Sequence, residues 1–343
     1  MFNNTATKNV LEPFISSVIT IFNVSDLMHI RKFIGNRTLL IADVTLQTKI
    51  LTSSPNFILI FYLGLVGDTH SAAEIAMLLA TSSMLVPVLT LGRHIGIKRF
   101  YHSVGNDAQK AFLSSIFAFS YATIILVSIL VVTIRHSFDL SVIAQESKYI
   151  DIIIISSICG ALNQAPLNAL IITLHTRLIK MNVYFAFLIR LLTFFYLYQI
   201  SNLDVLTSFL LSQAIFNAIF WTLNLFYTRK NKLIEPIFEK KYITFTSKFS
   251  NSLTPELILS QSLIFIERLF INVFLSPDVL GFYIILLNLF APINLIATSF
   301  KQSFNDNIFF QKTIDKQRNA FQKDILKFVS LFTVTILIYI ALF

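Results

Sequence analysis

Charged residues make up only 13% of this 343-residue chain, about half the share an ordinary soluble domain carries. That scarcity excludes a soluble globular fold. Cysteine is nearly absent: the single Cys159 rules out an intramolecular disulfide and any thiolate cluster for a metal. Catalytic signatures are missing too, with no G-x-S-x-G, no H-E-x-x-H, no G-x-x-x-x-G-K-S/T and no His or Cys group at metal-ligand spacing. Neither an enzyme nor a cofactor is expected.

What the chain does have is apolar length. Hydrophobic residues make up 55% of it, and the mean hydropathy is +0.72. A membrane-spanning helix needs roughly 20 mostly apolar residues. Nine such runs are expected, near 45–66, 72–92, 111–134, 149–173, 181–200, 205–227, 253–275, 279–300 and 325–343. They are continuous rather than alternating, and too long for the ~10-residue strands of a membrane barrel. The fold class is therefore all-α and polytopic.

The net charge of +9 follows from where the basic residues lie. Of 27 Lys and Arg, five fall in 1–50, four in 93–110, two in 174–180, six in 228–250 and six in 301–327. The alternate connections hold only Arg135 and Lys148, and Arg190 and Arg268 lie inside spans. By the positive-inside rule the N-terminus is cytoplasmic, as are the connections after spans two, four, six and eight. The basic excess thus meets anionic membrane lipid, not nucleic acid. Residues 9–22, "NVLEPFISSVITIF", lack the basic lead of a secretory signal and read as an interfacial helix.

Four regions are expected: an N-terminal cytoplasmic or interfacial segment at 1–44, a first six-helix lobe at 45–227, a basic cytoplasmic linker at 228–252 and three helices of a second lobe at 253–343. The hairpins flanking the linker share an outer acid (Asp68, Asp278), an internal proline (Pro87, Pro292) and a basic exit (Arg93, Lys301). Repeats of this kind are common in transporters.

Charges at bilayer depth normally face a protein interior or a wet cavity. Glu267 and Arg268 stand side by side in span seven. Adjacent helical residues project ~100° apart, so the two face different surroundings. Thr254, Gln261, Arg268 and Asn272 share a face within roughly 40°, with Glu256, Ser260 and Glu267 about 120° away. Arg190 sits near the middle of span five, where reaching either interface would mean crossing ~15 Å. An arginine facing a cavity suits phosphate, since its guanidinium is a planar fork of donors that does not deprotonate. The competing role for each charged group is an ion pair or hydrogen-bond brace between helices. In span four, "CGALNQAPLNAL" places Asn163 and Gln164 beside Pro166, as in a kinked, cavity-lining helix, or as polar braces between helices. His94 and His102, in a basic loop, and Asp151, near a helix end, are expected to be solvated.

The stretch "ERLFINVFLSPDVLGFYIILLNLFAPINLIATSFKQSF" resembles the seventh and eighth helices of bacterial O-antigen and polysaccharide flippases. The matching features are the acid–arginine pair Glu267 and Arg268, the short turn "SPDVLG" and Tyr283. "LVPVLTLGRHIGIKRFY" at 85–101 resembles the exit of that family's second span. The resemblance implies a two-lobed fold like that of the multidrug and toxin extrusion transporters, here with an incomplete second lobe, in a bacterial inner membrane. It also implies flipping of an undecaprenyl-diphosphate-linked oligosaccharide to the periplasmic leaflet. Arg190, Arg268, Glu267, Gln261, Asn272, Asn163 and Gln164 would then line the cavity. The implied partners are that lipid-linked oligosaccharide, membrane lipids and other polysaccharide-assembly proteins. The alternatives are a truncated, non-transporting remnant of the family, a small-molecule antiporter of the same fold, and a membrane O-antigen polymerase or glycosyltransferase. Two arginines disfavour cationic drugs, and a longest outer connection of about 14 residues leaves little room for an extramembrane catalytic surface.

Overall fold

The computed structural model describes residues 36–137, 147–290 and 298, and every regular element among them is helical. In chain order these are α1 (Asn36–Val66), α2 (Thr69–Thr90), the short α3 (Ile95–Phe100) and a 3-10 turn at Asn106–Ala108. Next come α4 (Gln109–Ser137), α5 (Ser147–Ile172) and α6 (Thr176–Phe195), which runs into a π-helical turn at Tyr196–Ile200. The remaining helices are α7 (Val205–Lys230), α8 (Lys240–Phe270) with its own π-helical turn at Ile271–Leu275, and α9 (Pro277–Leu289).

Seven helices among the described residues are long and apolar enough to cross a membrane: α1, α2 and α4–α8. The chain is thus a multi-pass helical membrane protein. The expected eighth span begins as α9, whose apolar part is shorter than a span. Pro292, Lys301 and the ninth run at 325–343 lie outside the described residues, as do residues 1–35.

The polar turns between spans terminate helices by capping. Asp68 accepts from Ser71 N–H at 3.0 Å to start α2, and Asp204 accepts from Thr207 N–H at 2.7 Å to start α7. Ser276, followed by Pro277 in the first turn, caps α9 through Val279 N–H. Each satisfies an N–H that the first helical turn leaves without a carbonyl. Asp68 and Asp278 are therefore not equivalent, because Asp278 lies inside α9 and accepts instead from Thr69 Oγ1 at 2.7 Å. At the other end of α2, Leu91 (φ 43°) and Gly92 (φ 63°) turn into the left-handed region and stop the helix.

The segment expected as a linker at 228–252 is largely helix, because α8 already starts at Lys240. Its stretch "KKYITFTSKFSNS" is polar but has no glycine or proline. Its hydroxyls fold back on the helix, Thr246 Oγ1 to Tyr242 O and Ser247 Oγ to Ile243 O, both at 2.6 Å. Tyr242, Thr246 and Ser250 recur every four residues, and all three are buried. A Cβ on Gly96 of α3 would lie 1.9 Å from Thr246 Cγ2, so this end of α8 approaches α3 as closely as a glycine permits.

The most extensive interface joins α5 to α7, and α7 in turn packs on α6. On the other side, α2 touches α5, α8 and α9. Its Ala72, Ala73, Ala76 and Ala80 are buried, and small residues let helix backbones approach in lipid.

Candidate functional site

Arg190 is 1% exposed. It donates to Thr52 O at 3.3 Å and to Asn56 Oδ1 at 3.1 Å on α1, and its guanidinium lies 5.1 Å from the centre of the Phe209 ring. Pro55 falls between those two acceptors. In this conformation Arg190 therefore fills a contact between α1, α6 and α7 and does not face an open cavity. Its position accounts for Asn56 within the span, since that amide oxygen and the Thr52 backbone carbonyl are the acceptors that let a cation be buried.

The amide of Asn163 is also enclosed. Its Oδ1 accepts from Asn224 Nδ2 at 2.9 Å, and Asn224 Oδ1 accepts from Asn182 Nδ2 at 2.8 Å. This ladder joins α5, α7 and α6 through three buried amides. One helical face further along, Asn217 donates to Ser156 Oγ at 2.9 Å, and Ser157 meets Ser82 of α2 at 3.0 Å. Gln164 is half-buried and has no hydrogen bond among the described residues.

Glu267 and Arg268 diverge, each toward a different helix. Arg268 donates to Ala76 O of α2 at 2.7 Å, and Glu267 accepts from the Tyr283 hydroxyl of α9. Farther along α8, Thr254 Oγ1 donates to Leu91 O at 2.7 Å, so the stripe through Thr254 and Arg268 is the one that meets α2. Gln261 and Asn272 are half-buried and have no hydrogen bond among the described residues. Asn272 sits in the π-helical turn, whose wider winding takes it out of the α-helical register of Thr254, Gln261 and Arg268.

The seven expected site residues thus fall into separate groups. Arg190 engages α1, Asn163 belongs to the amide ladder, and Glu267 and Arg268 belong to the seam between α2, α8 and α9. The ladder residues Asn182 and Asn224 were not foreseen. The signal was available as asparagines inside apolar runs, with Asn217 and Asn224 seven apart on one face of α7.

Three groups near the membrane edges also differ from expectation or add to it. Asp151 is ion-paired with Arg135 at 3.1 Å rather than simply solvated. His94 is packed at the end of α2, its Nδ1 buried without a partner; burial, helped by the nearby Lys98 charge, pushes its pKa down to about 3. Burial works against the charge of Asp204, but the Thr207 hydroxyl and amide, together with Lys148, outweigh it and hold the carboxyl below its ordinary value. Among the described residues no group of three or more His, Cys, Asp and Glu is placed to hold a metal.

No family model matches this chain, and no curated protein or solved structure does.

Proposed function

We propose that the chain is a bacterial inner-membrane transporter of the polysaccharide-flippase type, moving an undecaprenyl-diphosphate-linked oligosaccharide from the cytoplasmic to the periplasmic leaflet. The observation that carries this reading is Arg268. It is half-buried in a spanning helix, ~10 Å along the helix from the end of its π-helical turn. One bond to Ala76 O is its sole hydrogen bond among the described residues. That carbonyl also belongs to the backbone ladder of α2, so the contact is exchangeable, and the remaining guanidinium donors can meet a diphosphate.

The neighbouring bond between Glu267 and Tyr283 keeps the acid turned toward α9, so the arginine's hydrogen-bond donors are not spent on its own neighbour. Arg190 has a different part in this scheme. It braces the first bundle while Arg268 serves the substrate, with the cytoplasmic N-terminus that the loop charges imply. Rocking of α8 and α9 against α2 would expose Arg268 alternately to the two sides, with the lipid tail left in the bilayer.

The test is complementation of a polysaccharide-flippase deletion by the full chain and by Arg268→Ala, Arg268→Lys and Arg190→Ala, each scored together with its abundance in the membrane. Restoration by the wild type and loss with Arg268→Ala at normal abundance support transport through this residue. Full activity of Arg268→Ala, or failure of a correctly inserted wild type, overturns the proposal. Arg190→Ala is expected to lower abundance first.

A further inference from the structure

Three helices of the first bundle lose burial at the same depth, on the faces they turn toward one another. Residues seven or eleven apart on a helix point within about 20° of each other. On α5, Ile153 and Ile171 are related to Gly160 in this way and are buried, yet Gly160 and Gln164 between them are only half-buried. On α7, Leu210 and Asn224 flank Asn217 likewise and are buried, while Gln213, Asn217 and Trp221 between them are half-buried. On α2, Ile75 and Thr90 point within about 40° of Val86 and are buried, and Ser82 and Val86 between them are half-buried. The three faces thus border a depression at mid-depth, with packed residues toward both ends.

Side-chain contacts fix its walls. A Cβ on Gly160 would have only Asn217 Nδ2 and Val86 Cγ2 within 4 Å, both at 3.8 Å, so α7 and α2 face the glycine with room to spare. Gln213 Nε2 donates to Asn217 Oδ1 at 3.4 Å, while its own Oε1 is buried and accepts no hydrogen bond. Gln164, one turn beyond Gly160, has no hydrogen bond among the described residues. Trp221, one turn beyond Asn217, is steadied by its bond to the Tyr121 hydroxyl, and Tyr121 packs with Ala161 and Leu162 next to Gly160. No charged residue occurs in 75–90, 153–171 or 210–228. The lining therefore offers amide donors and acceptors beside aromatic rings, without charge. It has nothing to prefer a phosphate or a cation, and a lipid tail would leave the amides unmet. Sugar hydroxyls both donate and accept, and the C–H face of a pyranose packs on an aromatic ring.

We propose that Gly160, Gln164, Gln213, Asn217 and Trp221 form a binding site for a neutral sugar unit, separate from Arg268, in the depression between α2, α5 and α7. The choice of ligand rests on the transport reading above, in which the same molecule carries a diphosphate to Arg268. Ala76, which Arg268 contacts, and Ser82 at the edge of the depression are ~9 Å apart along α2, so one ligand can reach both. Gly160 supplies the space, the amides of Gln164, Asn217 and Gln213 meet hydroxyls, and Trp221 provides the stacking surface.

The experiment uses the full chain in phosphatidylcholine nanodiscs and follows the emission of Trp221, the one tryptophan in the sequence. The probes are undecaprenyl diphosphate alone and the same lipid carrying glucose, galactose or N-acetylglucosamine. At least one glycosylated probe is expected to shift the emission and to bind at least about fivefold more tightly than the bare lipid, the effect of one or more added hydrogen bonds. Gln164→Leu and Gly160→Leu should abolish that advantage, and Thr222→Val, on the exposed side of α7, should keep it. Gln164→Leu strands no partner in the protein, so an unchanged melting temperature separates lost binding from lost folding. Arg268→Ala should weaken bare and glycosylated probes alike. Arg268-dependent binding with no advantage for any sugar overturns the sugar site and leaves the transport reading standing. A sugar advantage that Gln164→Leu removes, with bare-lipid binding indifferent to Arg268→Ala, supports the sugar site and counts against that reading. An advantage kept by both Gln164→Leu and Gly160→Leu, an equal loss in Thr222→Val, or no binding of any probe by the wild type would each overturn the site.

Discussion

The pair α5 and α7 and the hairpin α8 and α9 are alike in composition but use their polar groups in opposite ways. Half of the spanning window of α5 is buried in the bundle, against none of that of α8. Between α5 and α7, Asn163 meets Asn224 and Asn217 meets Ser156 side chain to side chain, and Asn163, Asn224 and Ser156 are all buried. At the hairpin, Arg268 and Thr254 reach for backbone carbonyls, and Glu267 bonds a hydroxyl at an exposed position. The first arrangement specifies one packing, because separating the helices would strand both amides in oil. The second leaves a helix freer to move, because the Ala76 carbonyl, inside α2, keeps its own helical bond when the arginine departs.

The sharpest way to break this contrast is at the centre of the ladder. Asn224→Ala leaves Asn182 and Asn163 without their shared partner and should lower stability by about 3 kcal/mol, near the top of the range for unmet buried polar groups. Melting followed by fluorescence of Trp221, whose indole donates to the Tyr121 hydroxyl at 3.2 Å, reads it directly. A loss below that of the hairpin variants would erase the distinction.

Gly281→Ala tests the hairpin itself. A Cβ there would lie 2.0 Å from the Thr69 carbonyl oxygen, a backbone atom, so α9 must shift away from α2 at a cost of about 2 kcal/mol. Enhanced proteolysis confined to the hairpin, with α5 and α7 still protected, is the expected pattern. A uniform loss of protection would mean that the two regions unfold as one.

The packed end of α2 sharpens the comparison through pH. His94 has a folded pKa near 3, below its ordinary 6.5, so protons bind more tightly to the unfolded chain. Its contribution is complete above about pH 6.5 and is lost as the pH falls toward 3. From pH 7 to pH 5.5 the loss is about 1 kcal/mol, which His94→Asn should remove. A melting profile with the same pH slope in both proteins would contradict this.

The smallest effect belongs to Tyr283→Phe. It deletes an exposed bond to Glu267 and should change stability by about 0.5 kcal/mol in thermal melts. A change as large as that of Asn224→Ala would mean that the hairpin is as firmly specified as the core.

Much of this was legible in the linear chain. The positions of the first seven apolar runs follow from hydropathy alone, since a backbone in lipid must satisfy its own hydrogen bonds. Those runs break at "GDTH", "SNLD" and "SPD", whose Asp68, Asp204 and Ser276 are caps. The divergence of Glu267 from Arg268 follows from helical geometry. The early start of α8 was not legible, because a segment rich in Lys, Thr and Ser reads as a loop until its buried Tyr242, Thr246 and Ser250 find α3 and α4. Nor was the enclosure of Arg190, whose acceptors Thr52 and Asn56 lie more than 130 residues earlier in the chain.

The sequence by itself determined that this is an all-helical, multi-pass membrane protein, because helix length and apolar content are local properties set against a bilayer of fixed thickness. Only the tertiary structure decided which polar group meets which. It sent Arg190 to α1, Asn163 to Asn224 and Arg268 to the Ala76 carbonyl, because such pairings depend on which helix faces arrive opposite one another, and hydropathy, being a sum along the chain, carries no record of that.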